Sequence, residues 1–256
     1  MDGHGFQTII EIEPATKPDL TRVRHQIGVW STVADAFLVP DNHIGRATVS
    51  SIAVAHEVAL MGGRAIACVN ARDRNVLGFR RDLLTAAAYG VEEFLFVHGD
   101  RPESGSRSDD LTVRAMLDEA RAFGAASSGP SSAARVGVTT RLRRLPEWKR
   151  SADFLLVQVG FSVDELVAWR SALEFDGPVY AGVMVVASPA MARKLSEAAS
   201  DLRVPDWVVQ RVERDPDAGL DIACQLIDDI RSSGMFAGVH VVPVSRYRAL
   251  AARLEA

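Results

Sequence analysis

The stretch TIIEIEPATKPDL (Thr8–Leu20) joins an apolar run suited to a buried strand to two carboxylates, Glu11 and Glu13, and to a proline that ends the run. Unbroken apolar runs of this length suit strands of a parallel sheet covered on both faces. Seven more follow it: AFLVP (Ala36–Pro40), RAIACV (Arg64–Val69), EFLFVHGD (Glu93–Asp100), RVGVTT (Arg135–Thr140), DFLLVQVG (Asp153–Gly160), VYAGVMVV (Val179–Val186) and AGVHVVPV (Ala237–Val244). Amphipathic segments lie between them. The spacing predicts a helix over Ala47–Gly63, closed by glycines, and another over Val76–Tyr89, stopped by Gly90. Strand–helix alternation repeated eight times in 256 residues predicts a single-domain TIM (β/α)8 barrel spanning residues 1–256. The Ser/Gly/Ala-rich stretch Ala122–Ala134 reads as a flexible connection, and the long segment after the seventh strand as an elaborated loop with a helix around Ile222–Ile230.

Composition narrows the function classes. The chain is 48% hydrophobic and 24% charged, with a net charge of -4 and a mean hydropathy of +0.06. Its basic residues are scattered, which argues against nucleic acid as a partner. No apolar run reaches the ~20 residues of a membrane helix, and the start MDGHGFQ lacks a signal-peptide pattern. A soluble, cytoplasmic protein is expected. Two cysteines, Cys68 and Cys224, make neither a disulfide framework nor a zinc knuckle, and no metal constellation stands out. There is no GxGxxG turn, no Walker loop and no Gly-x-Ser-x-Gly elbow.

Barrel enzymes carry their sites at the C-terminal strand ends. Those ends read Glu11 and Glu13; Asp41, Asn42 and His43; Cys68 and Asn70; His98, Gly99 and Asp100; Thr139 and Thr140; Gln158; and Ser188. Glu11 shares a face with Ile9, opposite Ile10 and Ile12. Burial there disfavours the charged carboxylate and suits it to general-acid work, although an ion-paired structural glutamate fits the same pattern. Glu13 is expected in the solvated loop. Asp100 is placed either to accept from a ligand N–H pair or to serve as a turn aspartate. Gln158 needs a partner for its amide, most simply backbone. His240, inside the last strand, reads as a satisfied core histidine, and His56-Glu57 as surface groups.

Together these stretches resemble the methylenetetrahydrofolate reductase family. IIEIEPATKPDL is similar to the family's first strand, whose glutamate precedes a proline, and DNHIGRATVSSIAVAH to its second βα segment. RDRNVLGFRRDLLTAAAYGV followed by EFLFVHGDRP resembles the third helix and the Gly-Asp-x-Pro strand end. FLLVQVGF resembles the glutamine-bearing sixth strand, and VPDWVVQRV echoes a Pro-x-Trp pair. The resemblance implies a one-carbon-metabolism enzyme that supplies methyl groups for methionine biosynthesis. It makes Glu11 the acid that protonates folate N10, which opens the imidazolidine ring to an N5 iminium. Asp100 and Gln158 become folate contacts, and Asp41 and Asn42, from the second βα segment, join them as substrate-binding residues.

The chain departs from the family where flavin binds. Cys68-Val69-Asn70-Ala71 replaces the usual His-Leu-Thr/Ser-Cys, Pro40 replaces a threonine, and the stacking aromatic is missing around Ser188-Pro189-Ala190. Between strands five and six only RLRRLPEWKRSA (Arg141–Ala152) remains, too short for the family's flavin-contacting helix. The resemblance with these departures implies a reductase without FAD, in which NADH or NADPH passes hydride directly to the methylene carbon. A conventional FAD-dependent reductase and a non-catalytic folate-binding protein are the alternatives. A homo-oligomer is compatible with each.

Overall fold

Each strand of this chain hydrogen-bonds in parallel to the next, and the eighth returns to the first, so the sheet closes as a TIM (β/α)8 barrel. The computed structural model describes residues 5–101, 103–104, 106, 108–126, 134–198 and 204–255. The strands are β1 (Gln7–Glu11), β2 (Ala36–Val39), β3 (Ala65–Asn70), β4 (Glu93–Val97), β5 (Arg135–Thr140), β6 (Phe154–Val159), β7 (Val179–Met184) and β8 (Gly238–Val242). The helices are α1 (Thr21–Trp30), α2 (Ser51–Leu60), α3 (Val76–Ala88), α4 (Val113–Ala126), α5 (Val163–Ser171), α6 (Pro189–Ala198), α7 (Asp206–Arg214), α8 (Ala218–Ser233) and α9 (Tyr247–Leu254).

Successive side chains on a strand point to opposite faces, and that alternation separates two cores. Ile10, Phe37, Phe94, Phe96, Val239 and Val241 point outward and pack under the helices. Ile9, Leu38, Ile66, Cys68, Leu95, Phe154, Leu156 and Tyr180 point inward and fill the barrel. The N-terminal end is closed by polar pairs. Tyr180 donates its hydroxyl to Gln7 Oε1 at 2.7 Å. Glu93 is held by Arg64 at 2.7 Å and by Arg135 at 2.8 Å, and the Arg135 guanidinium lies 4.7 Å from the Phe154 ring centroid. One end is thus closed by polar pairs and the middle is packed with apolar side chains, which leaves the C-terminal mouth as the open end of the barrel.

Two boundaries differ from the sequence expectation. The second helix begins at Ser51, not Ala47, because the preceding segment has other partners. Asn42 and Thr48 exchange two hydrogen bonds of 3.2 Å, and Val49 N–H donates to Ala15 O at 2.8 Å. The stretch read as a flexible connection from Ala122 is helical through Ala126. Alanine favours helix, and Met116, Leu117 and Ala120 bury one face of α4; residues 127–133 lie outside the described residues. The described part of the long segment after β7 contains three helices, whose Ala192, Val208, Val212 and Ile222 pack into a small core of their own. As expected, α2 and α3 are followed by glycines at positive φ, Gly62 and Gly90.

Gly137 is packed directly against a core aromatic ring inside the barrel. A Cβ there would lie 2.2 Å from the Phe154 ring, which is fully buried and has no space to retreat. Gly137→Ala is therefore expected to destabilise the protein by about 1–3 kcal/mol, read as a lower urea midpoint. Adding Phe154→Leu should recover part of that loss; a second loss on top of the first would show that the two sites do not compete for the same space.

Candidate active site at the barrel mouth

Glu11 is the last residue of β1, and its backbone pairs with Leu38 of β2. The side chain points inward, one layer above Ile9, as the strand alternation requires. It is 18% exposed, and its Oε2 lies 3.2 Å from Nε2 of His240 on β8. The carboxylate makes no hydrogen bond among the described residues. Beneath it Cys68 is buried in the barrel lumen. Burial, then the negative charges of Glu11 and Asp41, push the Cys68 thiol well above its ordinary range. Cys68 is thus a neutral thiol near neutral pH and not a nucleophile. Glu13 lies outside the barrel, exposed, in a 2.5 Å ion pair with Arg22, so the two carboxylates of the opening stretch occupy different environments.

The ends of β2 and β3 are tied together through Asp41. Its Oδ2 accepts from Asn70 N–H at 3.0 Å, from Asn70 Nδ2 at 2.7 Å and from Arg74 Nη1 at 2.5 Å. Asp41 is 4% exposed, and Arg74 also bonds Asp82 at 2.6 Å. Burial opposes the Arg74 charge, but Asp41 and Asp82 outweigh it and raise its pKa above the usual guanidinium value. Asn70 Oδ1 accepts from Asp73 N–H at 3.0 Å, and Asn42 Nδ2 donates to Asp73 Oδ2 at 2.9 Å. The structure therefore aims Asp41 and Asn42 at protein partners that shape the β2 and β3 loops.

Asp100 is exposed beyond β4 and accepts from Ile44 N–H at 2.9 Å. Ile44 has φ 57°, a conformation a β-branched residue adopts at a cost, and this bond helps hold it there. Gly99, at φ +92°, packs so closely on Asn70 that a Cβ would meet it at 2.9 Å. Asp100 thus orders the β2–α2 turn from across the mouth. Next to it His98 Nε2 lies 3.0 Å from Arg72 Nη2. A guanidinium only donates, so His98 Nε2 is the acceptor in this contact.

Gln158 is in β6 and follows Phe154 and Leu156 on the inward face, where it emerges exposed. Its amide has no hydrogen-bond partner among the described residues, contrary to the expectation that backbone would satisfy it. The β6–β7 register shifts between Leu156 and Val159, so the ladder is irregular at this residue and the side chain is presented to the mouth. The connection after β5 contains a single 3-10 turn, Glu147–Ser151. There Lys149 donates to Thr139 O at 2.6 Å, and its pKa is lowered by burial and by the nearby Arg143 and Arg141. Ser188 caps α6 by accepting from Met191 N–H at 3.2 Å. His56 stacks on Tyr89 at 4.8 Å and Glu57 pairs with Arg24 at 3.0 Å, both surface roles as expected.

Two residues were not legible as site components. Arg74 is one basic residue in a run of charges, with nothing local to mark it as the counter-charge of Asp41. His240 was expected to be a satisfied core histidine. Instead its buried Nε2 makes no hydrogen bond and stands beside Glu11. Its place inside a barrel strand, two residues before the end of β8 at Val242, was the signal available. No group of three His, Cys, Asp or Glu among the described residues is arranged to hold a metal ion, and no described helix is long and apolar enough to cross a membrane.

Known structures share this architecture. An uncharacterized protein from Clostridium thermocellum that binds two copies of 5-methyl-5,6,7,8-tetrahydrofolic acid superposes with a TM-score of 0.62 at 10% identity, covering 98% of this chain and 96% of that one. The likeness is one of fold. The spore cortex-lytic enzyme SleL of Bacillus cereus gives a TM-score of 0.56 at 11% identity over 97% of this chain and 74% of its own. Phosphonopyruvate hydrolase gives 0.53 at 12% identity over 100% and 81%. No family model matches the chain, and no curated protein matches it by sequence.

Two outcomes follow from this geometry. Asp41→Asn leaves the largely buried Arg74 with Asp82 and the Asn70 carbonyl but one counter-charge fewer, and should cost on the order of 3 kcal/mol; an unchanged melting temperature would refute the linking role. Cys68 should resist thiol reagents at neutral pH until the protein unfolds, and mass spectrometry of labelled native protein checks it.

Proposed function

We propose that the mouth of this barrel binds a reduced folate and that the protein is a flavin-independent methylenetetrahydrofolate reductase. Hydride passes from NADH or NADPH to the methylene carbon of 5,10-methylenetetrahydrofolate, giving 5-methyltetrahydrofolate. The observation that carries the reading is the Glu11 carboxylate. It ends β1, faces the mouth and makes no hydrogen bond among the described residues, so a proton donor stands where nothing in the fold needs one. The folate-binding barrel from Clostridium thermocellum, matched over nearly the whole of both chains, supports the substrate class. Gln158 supports it too, since a free amide presents both a donor and an acceptor to a heterocycle such as a pterin.

The chemistry divides among these residues. Glu11 gives its proton to N10; the N10–methylene bond breaks and the N5 iminium forms. The nicotinamide C4 hydride then adds to the methylene carbon, so the folate is reduced by two electrons and the nicotinamide oxidised. Gln158 orients the pterin, and stacking the two rings in one mouth supplies much of the rate by proximity. The residues present do not fit the family's flavin. The β5–β6 connection contains a 3-10 turn of five residues where the family's flavin contacts lie on a long helix. Flavin therefore takes no part in the proposed reaction.

The test is NADH oxidation on addition of methylenetetrahydrofolate, by protein whose visible spectrum is free of flavin bands. Wild-type protein should turn over, and Glu11→Gln should lower kcat by about 10²–10⁴-fold with folate affinity unchanged within about twofold. Turnover that appears only after FAD is added would overturn the direct transfer. Tight folate binding with no turnover under either condition would make the protein a folate binder instead.

A further inference from the structure

The reductase reading gives Glu11 a task but leaves open what holds its carboxylate in place. A carboxylate that delivers a proton to one atom of a ligand has to be fixed in one rotamer, and a glutamate with three side-chain torsions is not fixed by its strand alone. Across the mouth the neighbouring polar group is His240. Its backbone is in register with Ile9 on β1 and with Gly182 on β7, neither of which offers a polar side chain. The residue is 9% exposed. Its Nε2 is fully enclosed and without a hydrogen bond, yet it lies 3.2 Å from Glu11 Oε2. A buried ring nitrogen left unpaired is costly; among the four such buried side-chain atoms of the described residues, that of His240 stands beside the lumenal carboxylate of Glu11.

We infer that His240 is a positioning residue for Glu11: its Nε2–H donates to Glu11 Oε2 and holds the other oxygen, Oε1, toward the ligand. The distance is already that of a hydrogen bond and only the alignment is missing. Catalytic hydrogen bonds are commonly misaligned before the ligand is bound and tighten in the complex. A small rotation of the carboxylate completes this one, because the lumen beneath is packed with Ile9, Leu38, Cys68 and Leu156 and gives the side chain nowhere else to go. The arrangement is that of an acid whose orientation is set by a third group, with the imidazole as the orienting group and the carboxylate as the reacting one. Histidine suits the position because its rigid ring spans the distance between two strands while presenting a single donor to the carboxylate. This role rests on Glu11 being the proton donor.

His240→Ala should lower kcat by about tenfold to a hundredfold while KM and the folate dissociation constant change less than about twofold. His240→Gln retains an N–H donor and should recover part of that loss. A merely structural histidine would instead lower folate affinity and thermal stability together, with no recovery in His240→Gln, and that result would overturn the inference. A second measurement is independent of turnover. In 15N spectra of histidine-labelled protein, the His240 Nε2 resonance should move on Glu11→Gln while that of His25, on α1, stays in place. An unmoved His240 signal overturns the pairing whatever the enzyme does. If the signal moves but no substrate turns over, the pairing stands and it is the reductase reading of Glu11 that fails.

Discussion

The closed barrel leaves room for one inward side chain at every second residue of each strand, and everything polar in this protein is arranged around that limit. Below the mouth the inward positions carry Ile9, Leu38, Ile66, Leu95, Phe154 and Leu156, which fill the lumen without leaving a polar atom to satisfy. An inward-pointing charge can exist only in the top layer, where solvent or a ligand reaches it, or at the plugged base, where Arg64 and Arg135 neutralise Glu93. Glu11 occupies the top layer.

The mouth itself divides into a rigid half and an open half. On the β2–β3 side, Asp41, Asn70 and Arg74 share hydrogen bonds at 2.5–3.0 Å, and their side chains are committed to one another. The Asp100–Ile44 bond extends that order across to β4. On the β6–β8 side, Gln158 and the Nε2 of His240 make no hydrogen bond among the described residues, and Glu11 stands between the two halves. An active site needs both: fixed groups to give a loop its shape, and uncommitted groups to meet a ligand. The exposed amide of Gln158 and the buried, unpartnered Nε2 of His240 are such uncommitted groups, and both lie on one side of the mouth.

The connection after β5 gives this site its particular character. In a barrel each βα loop can change length without disturbing the sheet, because the strand ladder is complete before the loop begins. Here the chain turns back within a short loop and the Glu147–Ser151 turn, and Lys149 pins that turn to the end of β5 through Thr139 O.

The sequence by itself determined the barrel. Eight apolar runs separated by amphipathic segments can bury both faces of a parallel sheet in few other ways; alternation along β1 already set Glu11 inside, and the proline after Glu13 put that residue in the loop beyond the strand. Helix ends were legible where a glycine marked them, as at Gly62 and Gly90, and were misplaced where side chains supplied the stop, as at Asn42 and Thr48 before α2. What only the tertiary structure decided was which polar residues find each other. Asp41 and Arg74 are 33 positions apart, and Glu11 and His240 meet only because closing the barrel sets β8 beside β1. Strand periodicity is a local property and can be read from neighbours in the chain. Whether a carboxylate is paired or free depends on strands that are distant in sequence and adjacent only in the closed sheet.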